Sequence, residues 1–396
     1  MDTVVGLDHA AIRGHRLNRV REGLAAGDLN AAVLLDPINV RYATGSRNMQ
    51  VWTMHHVMRY AFIPAAGPVV LFDYPGSLHL SDGLETIEQR RTATGWDHFA
   101  SGPRSQDQAD RWADEINALL VEQGGGSPRL AIDRADLPIV RALDARRITV
   151  LDAKPMMSVA RAIKSDQEIE AMRCSLEACS QSIAAMREDL QPGLTEQQVL
   201  GRLISENVRR GGEYPETRLL ASGPRTNPWY QETSNRTLQN GDLLAFDTDL
   251  IGPHGFFTDV SRTWLVGDRR PNDHQRRLYE LALEQLQHNI ELLTVGTGFL
   301  ELTEKAWKLP DDYVANRYAE IAHGAGLSVE YPIIYYPQDV EASGYDGVLQ
   351  ENMVICAESY IGAEHQPEGV KLEQPILITR NGPQPLCDYP CEYDLL

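Results

Sequence analysis

Two aspartates separated by a single residue, Asp247 and Asp249, lie shortly before a third, Asp259. Apolar residues alternate with the first two acids, which predicts a strand over 243–249 with both carboxylates on one face. Residues 252–255, Gly-Pro-His-Gly, predict a turn that brings Asp259 back on a second strand of the hairpin. Carboxylates crowded on one sheet face repel unless a cation neutralises them, so the stretch indicates a site for divalent metal. The alternative is that one acid caps a turn and the others face water.

Three further candidate ligands follow along the chain. His323 is followed by a Gly-Ala-Gly segment, Glu358 ends an apolar strand-like run, and Glu373 lies inside another. Oxygen ligands with one imidazole suit iron or manganese, and zinc or cobalt also bind such sets. We therefore expect one or two divalent ions, iron first among them. The six predicted ligands are Asp247, Asp249, Asp259, His323, Glu358 and Glu373.

The composition excludes several classes of protein. A chain of 396 residues, 42% hydrophobic and 23% charged, is typical of a two-domain globular protein. A net charge of −19 argues against nucleic acid or anionic membranes as partners and favours a metal or a cationic small molecule. Five cysteines without a CxxC pair, and an N-terminus without a secretory pattern, predict reduced thiols in the cytoplasm.

The elements that would hold these residues fall into two patterns. Residues 1–155 alternate helix and strand signals, which predicts a small α/β domain. Residues 156–396 combine long amphipathic helices with antiparallel strands, which predicts an α+β domain. Capping boxes at residues 165–168 and 195–198 predict helix starts.

Three local features are also expected. Residues 42–45 should form a turn after the first strand, and residues 311–322 a helix. The helix that begins near residue 106 should end at the glycines of residues 124–126.

The order of the ligand residues resembles the pita-bread metallopeptidase superfamily, which includes prolidases, aminopeptidase P, methionine aminopeptidases and creatinase. The segments at residues 161–169, 255–263 and 369–373 are similar to motifs of that superfamily. The resemblance implies a pita-bread catalytic domain preceded by a creatinase-type N-terminal domain. It also implies a homodimer, in which the N-terminal domain of one subunit closes the active site of the other.

Two positions depart from the peptidases of this superfamily. Where they carry the first aspartate, this chain has Thr248 between two aspartates, and where they carry a second histidine it has Glu330. The Asp-Thr-Asp variant resembles one branch, the DddP-type lyases of dimethylsulfoniopropionate (DMSP), as do residues 216–229, 358–362 and 385–396. This resemblance implies β-elimination of DMSP, a small zwitterion, to dimethyl sulfide and acrylate.

The resemblance also assigns roles to other residues. It places substrate-holding aromatic rings at Tyr318 and, from the partner subunit, at a tryptophan for which Trp52 is the candidate, and Trp229 could also line the pocket. The branch's proposed catalytic aspartate falls on Val329. The candidates for the base are then Tyr318, Glu330 and Asp339, and Arg262 is expected to orient a ligand carboxylate.

Three other functions stay open on the sequence. An Xaa-Pro dipeptidase or aminopeptidase would use the same metal set, although Glu330 replaces its histidine. A hydrolase of another compatible solute would fit an apolar wall at Val329. A binding module rich in acids would need no catalysis.

Overall fold

The computed structural model describes residues 6–122 and 128–396. Residues 8–161 form one compact unit and residues 162–396 belong to a second. A domain boundary at residue 155 stays a prediction. In the described ranges, no helix is both long enough and apolar enough to cross a membrane.

The first unit is an α/β structure, as expected. Its strands are β1 Ala31–Leu34, β2 Tyr60–Pro64, β3 Val70–Asp73, β4 Gln89–Thr92, β5 Arg129–Ile132 and β6 Thr149–Asp152. Its helices are α1 His9–Ala26, α2 Pro37–Thr44, α3 Gln50–His55, α4 His98–Ser101, α5 Ser105–Glu122, α6 Leu137–Ala145 and α7 Lys154–Ala162. Within residues 8–122 and 128–161, the strands form one mixed sheet in the order β4-β3-β2-β1-β5-β6. Trp112 and Ile116 of α5 are fully buried in its core.

The predicted turn at residues 42–45 is wrong, because residues 42–44 are the last residues of helix α2 and Gly45 is its C-cap. Asp36 caps the helix: its side chain accepts hydrogen bonds from the N–H groups of Ile38 and Asn39. Pro37 occupies the first turn, where its missing N–H costs nothing. Only Gly45, with a φ of 74°, forms the turn that follows.

The second unit is the α+β structure that the sequence predicts. Its helices are α8 Asp166–Glu188, α9 Glu196–Arg209, α10 Asp273–Glu291, α11 Phe299–Lys305, α12 Asp311–Val314 and α13 Val340–Ser343. Its strands are β7 Leu220–Ser222, β8 Leu243–Asp247, β9 Leu250–Ile251, β10 Phe257–Thr258, β11 Ser261–Leu265, β12 Ala322–Ala325, β13 Val329–Ile334, β14 Val354–Ile361, β15 Val370–Thr379 and β16 Gly382–Pro385.

Two of its sheets carry the candidate site. Among residues 162–396, one sheet has the order β11-β8-β7 and the other the order β13-β12-β14-β15-β16. Thr263 joins them, because its hydroxyl donates to the carbonyl of Lys371 at 2.9 Å and accepts from the N–H of Lys371 at 3.1 Å. Helix α10 buries Leu278 and Ala282 against the core of this unit.

The local predictions in the second unit have mixed outcomes. Both capping boxes are confirmed, at Ser165 before α8 and at Thr195 before α9. The predicted helix over 311–322 is wrong, because α12 ends at Val314 and Ala322 begins strand β12. Pairing of β12 with strands on both sides outweighs the helical propensity of the segment. The glycines of residues 124–126 lie outside the described residues.

Candidate metal centre

The hairpin that carries the three aspartates is interrupted between them. Strand β8 ends at Asp247, so the expected regular strand to Asp249 is wrong. The side chain of Thr248 takes over the pairing: its hydroxyl donates to the carbonyl of Thr258 at 2.8 Å and accepts from the N–H of Val260 at 3.0 Å. Asp249 then adopts a φ of 41°, in the left-handed region.

This interruption still leaves the three carboxylates together. One oxygen each from Asp247, Asp249 and Asp259 lie within 4.8 Å of one another, and all three residues are buried. Asp249 also accepts a hydrogen bond from the hydroxyl of Thr217.

The second sheet supplies the histidine and the two glutamates. Glu358 of β14 and Glu373 of β15 lie directly opposite each other, and both are fully buried. From strand β12, His323 points Nε2 at Glu358 Oε1 (3.2 Å), at Asp259 Oδ2 (3.3 Å) and at Glu373 Oε1 (3.5 Å). The structure therefore brings all six predicted ligands into one buried cluster.

A lysine that the sequence analysis did not single out lies inside this cluster. Nζ of Lys371 is 2.6 Å from Oε2 of Glu358 and 3.4 Å from both Oδ2 of Asp247 and Oε2 of Glu373. It also donates to the hydroxyl of Ser261 at 2.7 Å. One ammonium cannot balance five buried carboxylates, so the cluster needs more positive charge than the chain supplies.

The donor set fits divalent cations. Buried carboxylate oxygens normally have hydrogen-bond partners, yet four oxygens here have none within the described residues. They are Oδ1 of Asp247, Oδ1 of Asp259, Oε1 of Glu358 and Oε1 of Glu373. Hard oxygen donors with one imidazole nitrogen match the preferences of iron and manganese, with zinc and cobalt also compatible.

The electrostatics lead to the same conclusion. Burial raises the pKa of Asp259 well above its usual range, and the carboxylates of Glu373 and Asp247 raise it further. Burial, followed by the charge of Asp247, also raises the pKa of Asp249. Without a cation these acids would favour their protonated forms, so a bound ion and the ionised cluster stabilise each other.

Two further side chains border the cluster. Cys356, buried on β14 opposite His323, forms a group with Asp259, His323 and Glu373 in which the ligand atoms lie within 4.8 Å. Glu320, which is only partly buried, has an oxygen within the same distance of atoms of His323 and Glu358. Burial raises the pKa of Glu320, while His323 and Lys371 act in the opposite direction.

Of the predicted aromatic contacts, Tyr318 lies next to the cluster. Its ring lies 4.6 Å from Nζ of Lys371 and stacks on Tyr230, with ring centroids 5.3 Å apart. Trp229 is instead buried in the hydrophobic core, where its ring packs near that of Tyr360. Trp52 belongs to the first unit, in a group of rings with His56, Tyr74 and Phe99.

The other predicted base candidates are engaged in ion pairs. Glu330 is buried, 3.1 Å from Nζ of Lys164, and accepts a hydrogen bond from the N–H of Leu327. Asp339 accepts two hydrogen bonds from Arg317 and lines a cavity of 360 Å³ together with Tyr318. Val329, on strand β13, is 44% exposed.

Arg262 does not orient a ligand carboxylate as expected. Its buried guanidinium donates to the carbonyl oxygens of Ser261, Glu373, Tyr389 and Pro390 and to the side-chain oxygen of Gln374. Arg262 therefore positions the backbone at Glu373 and fixes the C-terminal segment, because the guanidinium has enough donors for several carbonyls at once.

The sequence contains a pattern that could have placed Lys371 in the site, but none that could have placed Glu320 there. Lys371 precedes Glu373 by two residues on one strand, and residues with that spacing share a face of the sheet. Glu320 lies in an irregular segment before β12, where no periodicity predicts the direction of its side chain.

Comparison with known proteins supports the expected family. The profile of metallopeptidase family M24 matches residues 170–380, and that of the creatinase/prolidase N-terminal domain matches residues 16–174. The dimethylsulfoniopropionate lyase DddP of Roseovarius nubinhibens is 39% identical over 394 residues, covering 98% of this chain and 88% of that protein. The protein of the same name from Roseobacter denitrificans is 36% identical with the same coverage.

A solved structure shows the same fold. The prolidase from Pyrococcus horikoshii superposes with a TM-score of 0.76 at 22% identity, covering 96% of this chain and 99% of that one. Membership of a metallopeptidase family implies divalent metal ions, and the cluster of carboxylates around His323 is a site that fits them. The chain therefore belongs to metallopeptidase family M24 and is an enzyme of this pita-bread superfamily, similar along nearly its whole length to the DddP lyases.

Proposed function

We propose that this enzyme cleaves DMSP by β-elimination to dimethyl sulfide and acrylate. The observation that carries the proposal is the near-full-length similarity to two lyases named for this reaction. The site adds support, because it combines a cluster that binds cations with aromatic rings beside it. DMSP has a carboxylate at one end and a sulfonium at the other. The carboxylate would bind the metal ion of the cluster, and the sulfonium would lie against the aromatic rings.

We assign the metal ligands to the six residues of the cluster, and iron to the metal. Four buried carboxylate oxygens support this assignment, since none of them has a hydrogen-bond partner among the described residues. A divalent ion held there would act as a Lewis acid on the substrate carboxylate and stabilise the negative charge that develops as the α-proton leaves. The ligands are Asp247, Asp249, Asp259, His323, Glu358 and Glu373.

The sulfonium end would lie against the stacked rings of Tyr318 and Tyr230. A permanent cation gains roughly 0.5–2 kcal/mol from the face of an aromatic ring. Tyr230 is 52% exposed, so its ring is accessible to a ligand, whereas Tyr318 is 7% exposed. A ligand can therefore reach mainly the ring of Tyr230, and Tyr318 stacks against that ring.

We further propose a cytoplasmic homodimer in which Trp52 of one subunit reaches the active site of the other. The first unit carries exposed aromatic surface around Trp52, including Phe99, which is 71% exposed. Such a patch is typical of interaction surfaces. The five cysteines are all free thiols, which suits a reducing compartment.

The decisive experiment is a headspace assay for dimethyl sulfide on protein loaded with Fe²⁺ or Mn²⁺. We expect dimethyl sulfide and acrylate in equal amounts, and no cleavage of a panel of Xaa-Pro dipeptides. Dipeptide cleavage without dimethyl sulfide would replace the lyase with the peptidase function. Hydrolysis of creatine-like or ectoine-like solutes, tested in parallel, would favour the third function.

A further inference from the structure

Glu320 is a carboxylate at the edge of the candidate metal centre. It lies three residues before His323 and is partly exposed. One of its oxygens lies within 4.8 Å of a ring nitrogen of His323 and of a carboxylate oxygen of Glu358. Within the described residues its side chain forms neither a hydrogen bond nor an ion pair, which leaves its lone pairs free for a ligand.

Its partial exposure and its position beside His323 distinguish Glu320 from the other acidic residues near the site. The cluster carboxylates are buried and face one another, and three of them approach His323 Nε2 at 3.2–3.5 Å. Glu330 is held by Lys164, and Asp339 by Arg317. Among the described residues Glu320 makes no such contact, so its carboxylate borders the residues that would hold a divalent ion and is not engaged by an ion pair.

A general base for this reaction has to reach the α-hydrogen of the substrate. In a β-elimination of this substrate, the α-carbon is one bond from the carboxylate that the cluster binds. A general base must come within roughly 2.6–3.2 Å of the group that it deprotonates, so it has to border the residues that would hold the substrate carboxylate, as Glu320 does. Glu320 also directly follows Ala319, whose N–H donates to the hydroxyl of Tyr230 at 3.3 Å, so it is adjacent in the chain to a residue that contacts the tyrosine stack.

We propose that Glu320 is the general base that accepts the α-proton, an inference that rests on the lyase function proposed above. The α C–H bond breaks and its proton forms an O–H bond on the Glu320 carboxylate. The electron pair of that bond becomes the α–β double bond of acrylate. The β-carbon–sulfur bond breaks, and its electron pair leaves on neutral dimethyl sulfide. Solvent regenerates the carboxylate, since the side chain is partly exposed.

In this proposal Glu320 supplies the basic carboxylate that Val329 lacks, and Glu330, the residue next to Val329 on the same strand, is not needed as the base. Glu330 follows Val329 on β13, and its buried carboxylate accepts from the N–H of Leu327 at 2.9 Å. The acid is therefore supplied from the segment that enters β12, on the N-terminal side of the histidine.

The test compares Glu320→Gln, Glu320→Asp and Glu320→Ala with the wild type, all metal-loaded. Glu364→Gln, which changes an exposed carboxylate after β14, is the matched control. We expect kcat for dimethyl sulfide release to fall about 10²–10⁴-fold in Glu320→Gln, with the metal content unchanged. Glu320→Asp should keep a measurable part of the activity, and the control should stay within about twofold.

Chemical rescue distinguishes a proton acceptor from a positioning residue. Added acetate or formate should restore activity to Glu320→Ala, more with the more basic anion, and should not affect the wild type. A kcat for Glu320→Gln within about threefold of an active wild type overturns the assignment. Loss of bound metal from Glu320→Gln also overturns it, because Glu320 would then be a ligand. If the metal-loaded wild type releases no dimethyl sulfide, the lyase function itself fails, and the assignment fails with it.

Discussion

The ammonium group of Lys371 lies 2.6 Å from Oε2 of Glu358, and both side chains are fully buried. The lysine thus neutralises part of a cluster whose remaining charge calls for a metal ion. Removing one partner of a buried ion pair leaves an uncompensated charge and typically costs about 3–5 kcal/mol.

We therefore expect Lys371→Met to destabilise the metal-free protein by a similar amount. Added Mn²⁺ should then raise the melting temperature of the variant more than that of the wild type, because the ion replaces the missing charge. Thermal unfolding with EDTA and with Mn²⁺ measures both effects. Lys308→Met removes an exposed lysine and serves as the control. A variant as stable as the wild type in EDTA would show that Lys371 does not balance the cluster.

Replacement of Asp259 tests the metal assignment. The carboxylate lies between the other aspartates and His323, and one of its oxygens has no partner among the described residues. We expect Asp259→Ala to lose at least one equivalent of metal and all measurable dimethyl sulfide release. Its stability in EDTA should be equal to or higher than that of the wild type, because repulsion is relieved.

Elemental analysis of the purified protein and unfolding in EDTA measure these outcomes. Asp388→Ala, which removes an exposed carboxylate near the C-terminus, should behave like the wild type. Full metal content in Asp259→Ala would contradict the ligand assignment.

The sequence predicted the parts of the site that depend on residue type and order. The superfamily and the α+β class of the second unit followed from the order of acids around His323 and from helix capping at Ser165. The local conformation of Asp249 could not be predicted, because it depends on the hydroxyl of Thr248 replacing the backbone pairing. The helix ending at Thr44 was missed because the cap at Asp36 outweighs the turn propensity that follows it.

The position of Glu320 depends on tertiary structure alone. It is set by how the chain enters β12, whose partners β13 and β14 come later in the sequence. Ion pairs between residues far apart in the sequence, such as Lys164 with Glu330, likewise determine which carboxylates are neutralised by a basic side chain.

Asp133 should make folding depend on pH in the first unit. It is 3% exposed and accepts hydrogen bonds from the N–H groups of Leu35 and Asp36 and from the side chain of Asn39. Burial outweighs these donors and raises the pKa of Asp133 to about 6. Its unfolded pKa is about 3.9, so the folded state binds more protons between these values, and its contribution decreases as pH rises.

We expect this single group to reduce the unfolding free energy by on the order of 3 kcal/mol between pH 4 and pH 7. Asp133→Asn should be less stable at pH 4, but should lose that part of the pH dependence. Denaturant unfolding across this range measures the slope, and Asp144→Asn, at an exposed position, is the control. An unchanged slope in Asp133→Asn would contradict the elevated pKa.

Tyr230 should determine affinity for the cationic end of the substrate. Its φ of 69° lies in a region that aromatic residues rarely adopt, and such strain is often retained at functional sites. The ring is held in place by stacking on Tyr318 at an angle of 18°, and its hydroxyl accepts from the N–H of Ala319 at 3.3 Å. A half-exposed ring fixed in this way presents an aromatic face to a cation at little entropic cost.

We expect Tyr230→Leu to raise KM for DMSP about 2–30-fold with a smaller change in kcat, since leucine keeps apolar area but removes the aromatic face. Tyr230→Phe should stay within about twofold, because the ring is retained. Inhibition by the neutral thioether 3-(methylthio)propionate should be nearly the same in all three proteins. The control Tyr393→Leu removes an exposed tyrosine near the C-terminus. Equal losses of affinity for the sulfonium and the thioether in Tyr230→Leu would show that the ring contributes shape rather than attraction for the cation.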